Sequence, residues 1–410
     1  MRILGTASAE GLRSALLSPD TLHDPGLGAR VRHLEAPPDA RDRMGTDTLS
    51  VGVLGYGFMG KAHANALGRL PLFFPDAPDV SLDVLCGRDA DAAREAADRF
   101  GFADVETDWR DAIARVDVFY NLGPNDVHVD PSIRALDEGV HVLCEKPLAP
   151  TLDGAERMAE AAARSDAVAA TAFNYRFVPA IEYARRLIAD GALGEIRHVR
   201  ARYLQDWLVD PDAPWSWRLD ADSAGTGVLG DLGAHSIDLV QFLVDDVAAV
   251  SGQCTTYVDE RPDDDGRLRS VTVDDAFSAQ ATLACGATAT FEATRCATGH
   301  KNTNAIEVEG TEGAIRFDLE RLNELDVLRG DDRGFETVLV TDPDDPYVEH
   351  WWPPGHTIGW EHTFVHENAA FLRAAADGDD YDPDFGTGRD VQRVVDAIQR
   401  SDERREWVSL

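Results

Sequence analysis

The sequence predicts an α/β chain: an N-terminal doubly wound parallel sheet, then a C-terminal α+β domain with a large, mostly antiparallel open sheet. Three observations predict it. Apolar strand-like runs alternate with helical runs over 49–174, a glycine-rich turn at 55–60 joins the first strand to the first helix, and period-two runs dominate after 174. Short strand–helix connections favour parallel pairing through right-handed crossovers, whereas successive alternating runs joined by tight turns favour antiparallel pairing.

The elements follow in order. LSVGVLG (49–55) is a buried strand entering the glycine turn, and HANALGRL is the helix behind it. SLDVLCG (81–87) is a second strand, followed by DAAREAADRFG, a helix closed by Gly101. DVFYNL (117–122) ends at GPNDVH; PSIRALDEG is a helix, HVLCEKP a strand, and TLDGAERMAEAAARS a helix capped by Thr151. VAATAFN (168–174) closes the first domain, expected at 49–174. Within 175–410, helices are expected near 178–190 and 230–243, and strands at 196–205, 248–258, 273–283, 287–294, 304–308 and 314–318. RPDDDGRLRS (261–270) and DPDDP (342–346) read as solvated turns, and GRDVQRVVDAIQRSDE as a terminal amphipathic helix. Residues 1–48 carry Pro, Gly and charge without period; they read as a disordered or extraneous leader, with Met44 a natural beginning.

Composition narrows the function. Seventy-four acidic against 39 basic side chains give a formal charge of −35, which excludes a generic nucleic-acid binder. Fifty-one of the acids are Asp, and only Lys61, Lys146 and Lys301 are lysines among the 39 cations. Such a surface tolerates strong screening, so from composition the chain reads as a protein of a high-salt cytoplasm, with a halophile as its source. Five scattered cysteines form neither a disulfide framework nor a thiolate metal site. No apolar run approaches the ~18 residues of a membrane span.

Gly55-Tyr56-Gly57-Phe58-Met59-Gly60 is a GxGxxG in the context that its mechanism needs, between an apolar strand and a helix. Gly55 makes the turn, Gly57 admits a pyrophosphate to the backbone, and Gly60 permits close helix–strand contact, the signature of a Rossmann dinucleotide site. At the end of the second strand, Gly87 stands where an NAD site usually carries an acid, and Arg88 follows. That pairing tilts the reading towards NADP, with NAD left open.

Lys146, in Cys144-Glu145-Lys146-Pro147, ends a strand at the carboxyl edge of the sheet. A compact ammonium there suits a reacting hydroxyl and its developing alkoxide. In GTGVLGDLGAHSID (225–238), Asp231 and His235 are i and i+4 on one helical face, so the carboxylate is expected to orient the imidazole and favour its protonated form. His235 is then a candidate general base. Asp231, His235 and Asp238 admit a metal reading, but nothing is spaced to complete it, and no metal is expected.

With these motifs, Asn125 to His128, Glu145-Lys146-Pro147 and Asn174-Tyr175-Arg176 among them, the chain resembles the glucose–fructose oxidoreductase / inositol dehydrogenase / rhizopine catabolism family. The resemblance spans about 50–400. It implies catalysis by Lys146, Asp231 and His235, with Asn125, His128 and Glu145 along the cofactor. It also implies a homodimer or homotetramer built through the outer face of the C-terminal sheet. Asn174, Arg176, Trp207 and Arg218 are expected to bind substrate. Trp207, Trp215 and Trp217, and later Trp351, Trp352 and Trp360, suit a ring with an apolar face and hydroxylated rim, as in the family's levoglucosan and inositol dehydrogenase branches. Few basic side chains stand nearby, which favours a neutral sugar, anhydrosugar or cyclic polyol. Two alternatives stay open: an NAD-dependent glycoside hydrolase, and a non-catalytic dinucleotide-binding regulator.

Overall fold

A computed structural model describes residues 48–330 and 332–410; apart from residue 48, the expected leader lies outside the described residues. The first sheet has six strands: β1 (Leu49–Leu54), β2 (Val80–Cys86), β3 (Asp104–Glu106), β4 (Val118–Asn121), β5 (His141–Cys144) and β6 (Ala169–Thr171). All pair in parallel, in the order β3-β2-β1-β4-β5-β6. The order reverses between β1 and β4, which opens a crevice at their carboxyl ends. Helices α1 (Phe58–Phe73), α2 (Ala90–Phe100), α3 (Trp109–Ile113), α4 (Val129–Asp137) and α5 (Leu152–Ala162) connect the strands. Strands covered on both faces need no polar alternation, and Val118, Phe119 and Tyr120 are accordingly all buried. The expected helix signals hold: Asp89 Oδ1 accepts from the Asp91 and Ala92 amides, Gly101 ends α2 at φ +90°, and Thr151 caps α5.

The second sheet contains β7 (Ile196–Leu204), β8 (Val247–Thr255), β11 (Ala276–Leu283), β12 (Thr288–Thr294), β13 (Thr303–Gly310), β14 (Gly313–Asp318), β15 (Glu324–Arg329), β16 (Glu336–Leu339) and β17 (Val408–Ser409). Its order is β16-β15-β14-β13-β7-β12-β11-β8-β17, antiparallel except at β7–β12. Along β7, Val199, Ala201 and Tyr203 turn inward while Arg200 and Arg202 turn out, the period-two pattern of a sheet with one covered face. The connecting helices are α6 (Pro179–Ala189), α7 (Ala221–Ala224), α8 (Ala234–Leu243), α9 (Glu361–Asp377) and α10 (Phe385–Arg404). A separate hairpin, β9 (Glu260–Pro262) with β10 (Leu268–Ser270), completes the order.

Three expectations need correction. The strands expected at 248–258 and 273–283 are trimmed where they face each other, because Asp274 and Asp275 turn their carboxylates onto main-chain amides. Asp274 accepts from Gly227 and Leu229, and Asp275 from Tyr257 and Val258. The segment 261–270 is more than a solvated turn: Arg261 is fully buried and donates to the carbonyls of Asp210 and Leu208. It fastens a satellite core of Leu208, Leu219, Val271 and Val273. Finally, α9 was not foreseen; it starts without a side-chain cap inside the tryptophan-rich segment and packs on α1.

Candidate active site

The glycine turn lies at the crevice. Gly55 takes φ +103°, and a Cβ there would strike the Leu122 carbonyl at the end of β4. A Cβ on Gly60 would strike the Gly55 carbonyl, so helix and turn touch only because both residues are glycine. Gly57, in contrast, faces open space. The first turn of α1 has no side-chain cap and no acidic residue, which leaves its amides, those of Phe58, Met59 and Gly60, free for an anion. This donor set fits a dinucleotide pyrophosphate. At the end of β2, the Tyr56 ring fills the space where a side chain at position 87 would lie, so any side chain there would displace that ring; Arg88 beside it is exposed. Asp89 is engaged as the α2 cap.

Opposite the crevice, glycines bring the second domain in. Gly225 (φ +80°) lies against the Pro150 carbonyl, and Gly227 against that of Asp274; a Cβ on either would collide with backbone. Gly230 sits against Thr226, with Pro147 close by. This contact places Asp231 beside Lys146. Lys146 Nζ donates to Asp231 Oδ1 at 3.1 Å and to the Asp231 carbonyl at 2.8 Å. The peptide Lys146–Pro147 is cis.

Asp231 and His235 do not form the expected pair. Residues Leu229–Gly233 make a π-helical turn that runs into α8, and both Asp231 oxygens are taken by cations instead: Oδ1 by Lys146, Oδ2 by Arg295 Nη2 at 2.8 Å. Two charge-assisted donors outcompete a neutral buried ring for one carboxylate. Burial alone would raise the Asp231 carboxyl, but Lys146, Arg295 and Arg218 hold it far below the usual carboxylate range. Burial and then the Lys146 charge push the His235 imidazole well below 6.5, outweighing the opposing pull of Asp231. The expectation of a protonated His235 is therefore corrected: the ring is neutral. It is 5% exposed, is boxed by Tyr175 (centroids 4.5 Å), Tyr203 and Phe173, and its Nδ1 finds no partner among the described residues.

Several residues expected to contact ligand hold the frame of the site together. Arg176 is buried and spent on Asp238, through Nε and Nη2, and on Asp382, through Nη1, which corrects its assignment as a substrate contact. The same pair removes Asp238 from any metal set with Asp231 and His235. His128 is fully buried with its ring nitrogens 3.0 Å from the Pro147 and Gly123 carbonyls, so it holds the loop that carries Lys146 rather than lining the crevice. Glu145 is likewise turned inward, with Oε1 on His63 and Oε2 accepting from the Lys146 amide. Asn125 donates across the domains to the Ala224 carbonyl, and Asn174 to Thr363 Oγ1.

Of the tryptophans, Trp207 is 43% exposed, hydrogen-bonded to Gln205 and stacked near the Arg295 guanidinium. Arg218 lies over Trp217 and acts electrostatically on Asp231. Trp351 is instead core, packed on Phe73 and donating to His366, so this tryptophan does not extend the sugar-type surface as expected. Trp360 stacks on Phe58 of the glycine turn and donates to Tyr175. Arg295 was missed: one arginine among 36, at the end of an apolar strand 64 residues from Asp231, it carries no local signal.

A dinucleotide fold facing an open-sheet domain across a polar, partly aromatic site defines an NAD(P)-dependent oxidoreductase that moves hydride between nicotinamide and a sugar or polyol hydroxyl. Residues 49–173 match the oxidoreductase family, NAD-binding Rossmann fold, and residues 181–316 match the GFO/IDH/MocA C-terminal domain. The chain belongs to the GFO/IDH/MocA family. It is 39% identical to the levoglucosan dehydrogenase of Pseudarthrobacter phenanthrenivorans, over 88% of this chain and 98% of that protein. Among solved structures, an oxidoreductase domain protein from Kribbella flavida superposes with a TM-score of 0.86 at 48% identity, covering 88% of this chain and 99% of that one. A levoglucosan dehydrogenase in complex with NADH and levoglucosan superposes at 0.86 and 40% identity, covering 89% and 99%.

Proposed function

We propose that Lys146, Asp231 and His235 carry the proton transfer in oxidation of a hydroxyl on a neutral sugar, anhydrosugar or cyclic polyol, with an anhydrosugar such as levoglucosan the favoured substrate. The observation that carries this reading is the ion pair between Lys146 Nζ and Asp231 across the domain junction, one helical turn before a neutral, buried His235. His235 accepts the hydroxyl proton, Lys146 donates a hydrogen bond to the same oxygen as its negative charge develops, and Asp231 fixes the ammonium. The bound nicotinamide supplies the hydride acceptor. Gly55, Gly57, Phe58, Met59 and Gly60 hold the pyrophosphate through main-chain amides. Trp207 and Arg218 line the substrate side, and withdrawal of Arg176 into its ion pairs supports a neutral substrate.

NADP is the preferred dinucleotide in this reading: position 87 carries no carboxylate to repel a 2′-phosphate, and Arg88 is exposed beside it. The relative solved with NADH supports NAD as the competing choice. A domain boundary at 174/175 and association as a homodimer or homotetramer through the outer sheet face complete the proposal. On that face, Arg200 and Arg202 alternate with Glu292 and Glu307 around a hollow. The Asp-rich, Lys-poor composition supports a high-salt setting, and five free thiols support a reducing cytoplasm. Among the described residues, no helix is long and apolar enough to cross a membrane.

The test is absorbance at 340 nm with NAD⁺ or NADP⁺ against levoglucosan, myo-inositol, scyllo-inositol, glucose, xylose and galactose. A rise with levoglucosan above all others is expected. A rise confined to another ring overturns the substrate choice. Product release without net dinucleotide reduction would instead identify the redox-neutral hydrolase.

A further inference from the structure

We propose that Arg295 is a positioning residue of this reaction: it takes the second oxygen of Asp231, so that the Lys146 ammonium keeps an uncompensated positive charge for the substrate oxygen. The inference rests on the reading that Lys146, Asp231 and His235 carry the reaction.

Arg295 is 1% exposed, and its Nη2 donates to Asp231 Oδ2 at 2.8 Å and to the Gly227 carbonyl at 3.3 Å. Its Nε and Nη1 have no partner among the described residues. A buried guanidinium with unmatched donors is a costly way to fill space, since an apolar side chain of similar volume would pack there without the desolvation penalty. What the cation does at that place is divide Asp231. With Lys146 on one carboxylate oxygen and Arg295 on the other, two positive charges share one negative charge, and the neutral His235 adds none. Among these three side chains one positive charge remains next to the place where an alkoxide develops.

The same residue fixes geometry. The Leu208 amide donates to the Arg295 carbonyl, and the Arg295 amide donates to the Asp275 carbonyl. Trp207 lies near its guanidinium, 5.4 Å from ring centroid to carbon. Arg295 thus joins the segment bearing Trp207, the glycine entry at Gly227 and the Asp231 carboxylate. The other charged or titratable groups facing this cluster are Lys146, Arg218, His235, Tyr203, Asp274 and Cys296.

The experiment compares Arg295→Gln and Arg295→Lys with the parent enzyme, using dinucleotide affinity, kcat, KM and the pH dependence of kcat/KM for levoglucosan or whichever sugar proves active. In R295Q, kcat is expected to fall about 10- to 100-fold, as misplaced catalytic groups do, with dinucleotide affinity unchanged. The acid limb of the pH profile is expected to move upward, because loss of the positive charge disfavours the deprotonated hydroxyl and the neutral imidazole alike. R295K, which keeps the charge, is expected to recover part of kcat and to restore the limb. A purely structural arginine would leave the limb in place; an unmoved limb in both variants, or parent-like kcat in R295Q, overturns the proposal. If R295Q does not fold, R295K alone decides: a partly retained kcat with the acid limb at its parent position is required by the charge argument, and a displaced limb contradicts it. Lys146→Ala runs alongside: retained turnover in K146A shows that the underlying reading has failed, whereas lost turnover in K146A with parent-like R295Q sinks only the role of Arg295.

Discussion

Lys146 and Asp231 meet across the junction of the two domains, with Nζ 3.1 Å from Oδ1 and 2.8 Å from the main-chain carbonyl of the same aspartate. The double contact fixes the ammonium by side chain and backbone together, so the site is assembled by domain packing rather than by either domain alone. Gly225 makes that approach possible, since a side chain there would push the segment off the Pro150 carbonyl, while Gly227 seats the same segment on Asp274 of its own domain.

Lys146→Ala should lower kcat by about 10²- to 10⁴-fold, the range of a positioned proton-transfer group, while fluorescence titration returns nearly the parent affinity for dinucleotide. Collapse of that affinity with turnover at saturation preserved would reassign Lys146 to cofactor binding.

The neutral state of His235 has a kinetic signature. Burial and Lys146 lower its pKa, so the ring is available as a base at pH values below the usual 6.5 of an imidazole. In the oxidation direction, kcat/KM measured from pH 5 to 9 should therefore show its acid limb below 6.5. A limb at or above that value would mean that Asp231, not burial, governs the ring. The sign for stability is the same: a depressed histidine binds its proton more readily in the unfolded chain, so its contribution is lost as the pH falls below 6.5.

Arg176→Met should destabilise the fold by about 3–5 kcal/mol, because it leaves the buried Asp238 carboxylate without its partner. Urea unfolding measures this directly. The folded fraction should keep the parent KM for sugar; a raised KM would return Arg176 to the substrate site.

Arg88→Ala should reduce kcat/KM for NADP⁺ by about tenfold, the equivalent of one lost charged contact of roughly 1.4 kcal/mol, and leave that for NAD⁺ unchanged. Equal effects on both dinucleotides would show that Arg88 does not read the 2′-phosphate.

Thermal midpoint and activity should both rise between 0.1 M and about 2 M KCl, where a Debye length of roughly 3 Å or less screens the mutual repulsion behind a charge of −35. A midpoint that is flat or falls across this range would count the acidic surface as incidental.

Much was legible in the chain itself. Strand and helix periods along 49–174, the Asp89 and Thr151 caps and Gly101 are local signals, and they marked the elements of the first sheet and its parallel class. GxGxxG, Lys146, Asp231 and His235 stood out because a glycine turn, a strand end with one of only three lysines and a helical spacing of four are positions with a mechanical meaning. Tertiary structure alone decided who pairs with whom. A helical spacing of four placed Asp231 beside His235, yet Lys146 from 85 residues away and Arg295 from 64 residues away took the carboxylate. Arg176, read as a ligand contact, found the buried Asp238 and the exposed Asp382 first, and Trp351, read as a sugar platform, found Phe73. The physical reason is the same in each case. Sequence spacing determines which side chains share a face, but a charge in a water-poor interior is claimed by the strongest opposite charge that folding brings within reach, and no local pattern records that distance.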